Sequence, residues 1–304
     1  MVTAAQRRAA VQHVSEIAAV SQRTACRFLG YARSVIRYQT VRPVRTLERE
    51  RLRALADERT RWGYRFLHRL LLREGFRHNW KLTYRLYREE GLHVQRRRRK
   101  RRAAGVRDPR PATEAANQRW SMDFVSDAFS SGRRFRALTI VDDHTRECPA
   151  IEVDTSLPAT RVIEVLERLR ASRGLPQQIV VDNGPEFRSR TLDQWAYARG
   201  VQLIFIEPGK PVQNAFVESF NGTFRFECLN AHWFRNLVDA RGIVETWRRD
   251  YNEVRPHSSL GGRTPAEFAA AQQTSVASGA FGAPALDLTR EGEEIQSPQP
   301  CGLT

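Results

Sequence analysis

A chain of 304 residues with 41% hydrophobic side chains is long enough for more than one domain and can bury a sizeable core. Its net charge of +16 selects a polyanionic partner, either nucleic acid or an anionic membrane. No apolar run approaches the roughly 20 residues that span a bilayer, no secretory core opens the chain, and Cys26, Cys148, Cys228 and Cys301 are too scattered for a disulfide framework or a zinc ribbon. A cytoplasmic protein that works on nucleic acid, without a membrane partner, is the expectation.

The charge is unevenly placed. Residues 1–111 hold 29 Lys+Arg against 9 Asp+Glu, whereas residues 112–304 hold 21 against 25. The first third therefore reads as a DNA-binding arm and the rest as a domain that collects carboxylates. In chain order, residues 1–43 form a small helical segment. Val11 and Val14 recur at i, i+3, Ser21 caps a short helix to Leu29, Gly30 ends it, and another helical segment starts at Arg33. A helix-turn-helix and a plain helical bundle both fit this pattern.

Residues 44–104 read as a helix-turn-helix-like region with a basic linker. A helix over 62–72 carries Phe66, Leu67, Leu70 and Leu71, and Gly75 breaks it. Asn79 caps a second helix that runs to Glu90 with Leu82, Leu86 and Tyr87 on one face, and Gly91 follows as its stop. Then come seven consecutive cations, Arg96, Arg97, Arg98, Arg99, Lys100, Arg101 and Arg102. Such a run stays solvated and binds phosphates by counterion release.

From Trp120 the periodicity changes. Strands are expected over 122–129, 135–141, 148–153, 178–181 and 201–206, with helices over 160–172, 189–198, 214–230 and 237–251. The order β-β-β-α-β-α-β-α predicts an α/β, ribonuclease-H-like fold: a mixed five-stranded sheet with flanking helices, over residues 112–271. Its first and fourth strands would lie side by side. Residues 272–304 read as a disordered tail.

Three acids stand out in that frame. Asp123 lies inside the first strand, where a carboxylate is costly unless paired or bound to metal. Asp182 ends the fourth strand, where open α/β sheets gather ligands. Glu218 follows after a further 35 residues, on a helix. Such a set suits two Mg²⁺ or Mn²⁺ ions roughly 3.5–4 Å apart, serving in-line displacement at a phosphodiester. Each acid alone is equally readable as a surface or capping residue. Among the nearby acids, Asp142 and Asp143 suit a turn, Glu186 faces the site without binding metal, and Asp127 is a further alternative. Asn214, Glu218, Asn221 and Arg225 fall at i, i+4, i+7 and i+11, a polar stripe suited to metal and DNA backbone. Lys210, in the loop before it, adds a further DNA contact.

At these residues the sequence resembles the retroviral-integrase-type core of bacterial insertion-sequence transposases, specifically the OrfB proteins of the IS-three family. The matching stretches are Trp120-Ser121-Met122-Asp123-Phe124, Asp182-Asn183-Gly184-Pro185-Glu186-Phe187, Asn214-Ala215-Phe216-Val217-Glu218-Ser219-Phe220-Asn221, and Tyr251-Asn252 with Arg255-Pro256-His257-Ser258-Ser259-Leu260. The 35-residue gap before Glu218 belongs to the same pattern. The resemblance implies a DDE triad of Asp123, Asp182 and Glu218 holding two ions, and a basic residue, Arg225, that touches the transposon end. It also implies an OrfA partner or OrfA fusion, an oligomer on DNA, and cleavage followed by strand transfer. The chain shows no leucine-heptad segment, so under this resemblance the expectation is a partial product. A nuclease on the same fold and a DNA-binding regulator with an inactive core are the competing readings.

Overall fold

The computed structural model describes residues 3–38, 45–94, 111–207 and 211–279. The cations Arg96 to Arg102, Lys210 and Cys301 lie outside the described residues. The chain divides into two compact units, Met1–Arg51 and Leu52–Thr304.

In the first unit, α1 (Ala4–Ile17) starts at a reciprocal cap between Thr3 and Gln6, which satisfies two otherwise orphan N–H groups. α2 (Gln22–Phe28) is capped by the Ser21 hydroxyl and closed by Gly30 at φ +68°, and α3 (Arg33–Arg37) follows. Val11, Ala25, Cys26 and Ile36 form its small core. The helix α4 (Thr46–Glu58) carries the chain into the second unit.

There α5 (Tyr64–Arg73) and α6 (Trp80–Glu89) make the expected helical hairpin. Asn79 caps α6 by accepting from Lys81 N at 2.9 Å, and Gly91 adopts φ +70°. Leu52, Leu55, Leu67, Leu71 and Leu86 form the core of this region. The hairpin and the sheet domain belong to one compact unit instead of two separable domains. Arginines tie them together: Arg59 pairs with Asp250 at 2.6 Å, Arg73 with Glu267 at 2.7 Å, and Arg69 donates to the Gly261 carbonyl at 3.1 Å. Gly262 is a cradle for Arg69, since a Cβ there would sit 0.7 Å from its Nη1.

The sheet holds β1 (Arg119–Ala128), β2 (Arg134–Asp142), β3 (Ala150–Asp154), β4 (Gln178–Val181) and β5 (Gln202–Phe205) in the order β3-β2-β1-β4-β5. The first three strands are antiparallel, and β4 and β5 add in parallel. This is the expected mixed, ribonuclease-H-like sheet. Strand β2 is covered on both faces, so it reads as a nearly unbroken apolar run. One face, with Met122, Leu138 and Ile140, packs on α7 (Ala159–Arg173) and α8 (Arg190–Ala198). The other, with Val125, Phe135 and Val141, packs on α9 (Ala215–Glu227) and α10 (Leu237–Glu253).

Several element boundaries differ from expectation, β1 among them, which starts at Arg119 and not at 122. β3 starts at Ala150 and not at 148, because the Asn252 amide occupies both backbone groups of Cys148, accepting from its N at 2.8 Å and donating to its O at 2.9 Å. The helix expected over 214–230 is a 3-10 turn, Pro211–Asn214, followed by α9 and a second 3-10 turn, Leu229–Ala231. The helix α11, Pro265–Gly279, continues past residue 272, where the tail is expected to begin.

Candidate active site

The parallel pairing of β1 with β4 sets the site. It runs Arg119 to Gln178, Trp120 to Ile179 and Ser121 to Val180. Two positions further on, the same register carries Asp123 to Asp182. Strand alternation puts Asp123 on the α9 face together with Val125, and its antiparallel partner is Thr139. Asp182 lies just past β4, and its Oδ1 accepts from Gly184 N at 2.9 Å. A Cβ at Gly184 would meet that same oxygen at 2.9 Å, so the turn admits no side chain there without displacing the carboxylate.

Helix α9 brings the third acid and the groups that hold the first. Glu218 lies exposed in its first turn. One turn on, Asn221 is buried: its Nδ2 donates to Asp123 Oδ2 at 2.8 Å, and its Oδ1 accepts from Thr139 Oγ1 at 2.8 Å. The Thr139 hydroxyl also lies 3.1 Å from the Asp123 carbonyl. Asp123 Oδ1 accepts from Phe124 N at 2.7 Å. Burial pushes the Asp123 carboxyl up to about 6. The Phe124 N–H and the Asn221 amide pull it down, while the charges of Asp182 and Glu218 push it further up. Partial burial also raises Glu218. The three acids therefore share one field, although 35 residues separate the last two.

Asn214 and Asn221 do not form an open stripe with Glu218 and Arg225. Asn214 precedes α9, is buried, and donates from Nδ2 to the Met122 carbonyl at 3.3 Å. Asn221 belongs to the helix's buried face with Val217, Phe220 and Phe224. Helical spacing cannot distinguish a polar face turned to solvent from one turned onto a strand that carries an acid. Arg225 is exposed, and its Nη2 donates to the Ser126 carbonyl of β1 at 3.1 Å.

The remaining acids have partners of their own. Glu186 pairs with Arg136, whose guanidinium lies 4.2 Å over the Phe124 ring, and Phe124 stacks on Phe187 with centroids 4.8 Å apart. Asp142 accepts from the backbone N–H groups of Asn117, His144 and Thr145, which is the turn role expected of it. Asp143 is buried against Arg119 at 2.7 Å and Ser121 at 2.6 Å. Asp127 accepts from Ala128 N. Thr139, Gly184 and Arg136 are site residues that sequence reasoning missed. Gly184 is visible there only as part of a motif, and Thr139 carries no signal within an apolar strand. The atoms that Asp123, Asp182 and Glu218 could offer to a cation are carboxylate oxygens, which suit a hard divalent cation. Among the described residues, however, no three His, Cys, Asp or Glu side chains are gathered closely enough to hold an ion as they stand.

The integrase core domain family matches residues 113–211, a second integrase core domain model matches 199–265, and an HTH-like domain matches 44–101. The insertion element IS407 31.7 kDa protein of Burkholderia multivorans is 50% identical over 259 residues, covering 84% of this chain and 93% of that protein. Transposase InsD for insertion element IS2 of Escherichia coli is 27% identical over 232 residues, 72% of this chain and 76% of its own length. The magnesium-bound HTLV-2 integrase catalytic core superposes with a TM-score of 0.42 at 16% identity, over 51% of this chain and 97% of that one. The chain belongs to the integrase-core transposase family of bacterial insertion elements. No helix among the described residues is long and apolar enough to cross a membrane.

Proposed function

We propose that the protein is a DNA transposase of the DDE type, a polynucleotidyl transferase whose triad is Asp123, Asp182 and Glu218. The observation that carries this reading is the β1–β4 register, which sets Asp123 level with Asp182, together with the hold of Asn221, on the helix that bears Glu218, on the Asp123 carboxylate and on Thr139. Burial keeps Asp123 dry enough to be worth neutralising with a cation, and the oxygen-only donor set fits Mg²⁺ or Mn²⁺. Two such ions would supply the Lewis acid that makes an attacking oxygen nucleophilic and stabilises the oxygen that leaves. The carboxylates have to be drawn together for this, which the exposed Glu218 side chain of α9 is free to do by rotamer change.

The chain's own residues do the rest. Asn221 fixes the orientation of Asp123, and the Gly184 N–H fixes that of Asp182. Arg225 presents a guanidinium, which has donors and no acceptor, so it positions a DNA strand and performs no proton transfer. Residues 44–104, with the cations 96–102, hold DNA through its phosphates, aided by Lys210, while residues 112–271 carry the chemistry. The reaction exchanges one phosphodiester for another. Water oxygen attacks phosphorus at an element end and the bond to the 3′-oxygen breaks; the freed 3′-hydroxyl then attacks a second phosphorus, again releasing a 3′-oxygen. An OrfA partner or fusion and an oligomer on DNA complete this reading.

Asp123→Asn, Asp182→Asn and Glu218→Gln are expected to abolish Mn²⁺-dependent cleavage of element-end DNA while DNA binding persists. With OrfA and both ends supplied, the wild type should give joined-end circles, detected by amplification across the junction. Linear nicked product alone would select a nuclease, and near-normal cleavage by all three variants would overturn the triad.

A further inference from the structure

The helical hairpin carries a site that the acids do not use. Where α5 and α6 meet, a cavity of about 340 Å³ is lined by Tyr64, Arg65, His68, Arg69 and Trp80. That volume is at the low end of the roughly 300–1,000 Å³ of small-ligand sites, room for a single nucleotide. Its walls are aromatic. The Tyr64 ring lies 6.2 Å from that of Trp80 at 33°, and 4.8 Å from that of Tyr84 at 55°. Trp80 is 47% and Tyr84 40% exposed, although the hairpin buries Leu67, Leu71 and Leu86 fully. Two large rings left in water beside a cavity forgo burial worth roughly 25 cal/mol per Å².

The polar groups suit a nucleotide as well. Arg65 is exposed, lies 5.9 Å over the Tyr64 ring, and donates from Nε to the Tyr64 hydroxyl at 3.2 Å. Arg69 is anchored to the Gly261 carbonyl. His68 and His78 are both hydrogen-bonded to the Thr83 hydroxyl, at 2.9 and 2.8 Å. With Nδ1 of His68 so engaged, the nitrogen left for a ligand is Nε2. Burial, then the neighbouring His78 and Arg69, hold His68 below the usual histidine range, so it offers an uncharged polar edge.

We propose that this cavity captures one unpaired DNA base, stacked against Trp80 and Tyr64, with its flanking phosphate on Arg65. A helix that reads a closed duplex presents hydrogen-bonding side chains to base edges in the major groove, with its N-terminal residues leading. The exposed positions of α6 are Trp80, Lys81, Tyr84, Arg88 and Glu89, so an aromatic ring leads at the N-terminus and the cations are interleaved with two aromatic faces. Aromatic faces engage bases only once these leave the duplex stack, and interleaved cations then track the backbone. The proposal rests on the transposase reading only for the identity of the polymer as DNA. Its consequence is that the hairpin favours a melted or tailed end over a fully paired one.

The full-length protein would be titrated into a short duplex of arbitrary sequence, once blunt and once with a single-stranded tail containing 2-aminopurine. Wild type should bind the tailed duplex more tightly, with a change of 2-aminopurine fluorescence on stacking. Trp80→Ala should lose about 5- to 150-fold in affinity for the tailed probe and lose the fluorescence change, while its affinity for blunt duplex stays within about twofold. Trp80→Phe should retain most of both, and Tyr84→Ala should fall between. Circular dichroism on each variant separates loss of the site from loss of the fold. Equal binding of the two probes by wild type, with no fluorescence change, overturns the proposal and leaves the transposase reading intact. Equal loss on both probes in Trp80→Ala also overturns it. Binding of neither probe by wild type overturns both.

Discussion

At the scale of single residues, burying a carboxylate in a strand is tolerated only with partners, and Asp123 has just enough of them to stay in place without being neutralised. Two hydrogen bonds hold it, one from its neighbour's backbone and one from Asn221. Asn221→Ala removes the second and leaves the Thr139 hydroxyl without its acceptor on α9. Loss of such an orienting group commonly lowers metal affinity or activity about 10- to 100-fold. That drop is expected in Mn²⁺-dependent cleavage, with a higher Mn²⁺ requirement, and unchanged DNA affinity would accompany it. A different residue governs acid stability. Burial, with the charges of Arg255 and Arg146, lowers His257 to about 3, and its Nε2 has no hydrogen-bond partner among the described residues. The native state keeps His257 neutral, whereas the unfolded chain takes up a proton below about 6.5. Folding stability contributed by this group is therefore lost as pH falls from about 6.5 toward 3. Denaturant titrations of His257→Leu should show a shallower acid slope over that window than wild type.

At the scale of elements, α9 is held in place by a residue far along the chain. Arg255 forms two hydrogen bonds of 2.8 Å each to Glu227 at the end of α9, and both side chains are buried. The same guanidinium lies 4.7 Å over the Phe66 ring of the hairpin and 5.7 Å over Tyr251 of α10. The Tyr251-Asn252 and Arg255-Pro256-His257 stretch is thus a structural clamp: Asn252 sets the start of β3, and Arg255 joins α9, α10 and the hairpin. Removing one partner of a buried pair strands the other charge, which costs about 3–5 kcal/mol. Arg255→Ala should lower stability by that order. Arg255→Met with Glu227→Leu should recover most of it, as read by urea unfolding. A double variant as unstable as the single one would show that the pair's charge, and not its packing, sets the position of α9.

At the scale of the whole molecule, cations and acids are segregated along the chain. The net excess of cations lies before residue 112, and the acids that share a field lie after it. DNA affinity should fall linearly in a plot of log K against log salt, with a slope set by the number of phosphates neutralised. Replacing Arg96 to Arg102 by Gln should reduce that slope by about 0.9 for each phosphate that is no longer neutralised. Fluorescence anisotropy over a salt series measures it. A slope that does not change would place phosphate binding elsewhere on the chain. Arg59, Arg69 and Arg73 couple the helical hairpin region to the sheet domain through Asp250, Gly261 and Glu267.

Much of this is legible from the sequence because it is local. Helix caps at Ser21 and Asn79, the glycine stops at Gly30 and Gly91, the apolar alternation of the strands and the spacing of Asp123, Asp182 and Glu218 all depend on residues close to one another or on a family pattern. The sheet order follows from short crossovers of fixed hand. Only the tertiary structure decided what faces what. A polar residue on a helix has the same period whether it meets water or a buried acid, so Asn221 reads as a DNA contact until β1 and β2 are placed beneath it. Thr139 is one hydroxyl in an apolar strand, and its role exists only because strand pairing sets it beside Asp123. The Arg255–Glu227 pair spans 28 residues and the Arg69 cradle at Gly262 spans nearly two hundred. No local pattern encodes such pairings, because they arise from packing elements whose surfaces the sequence describes but whose partners it does not name.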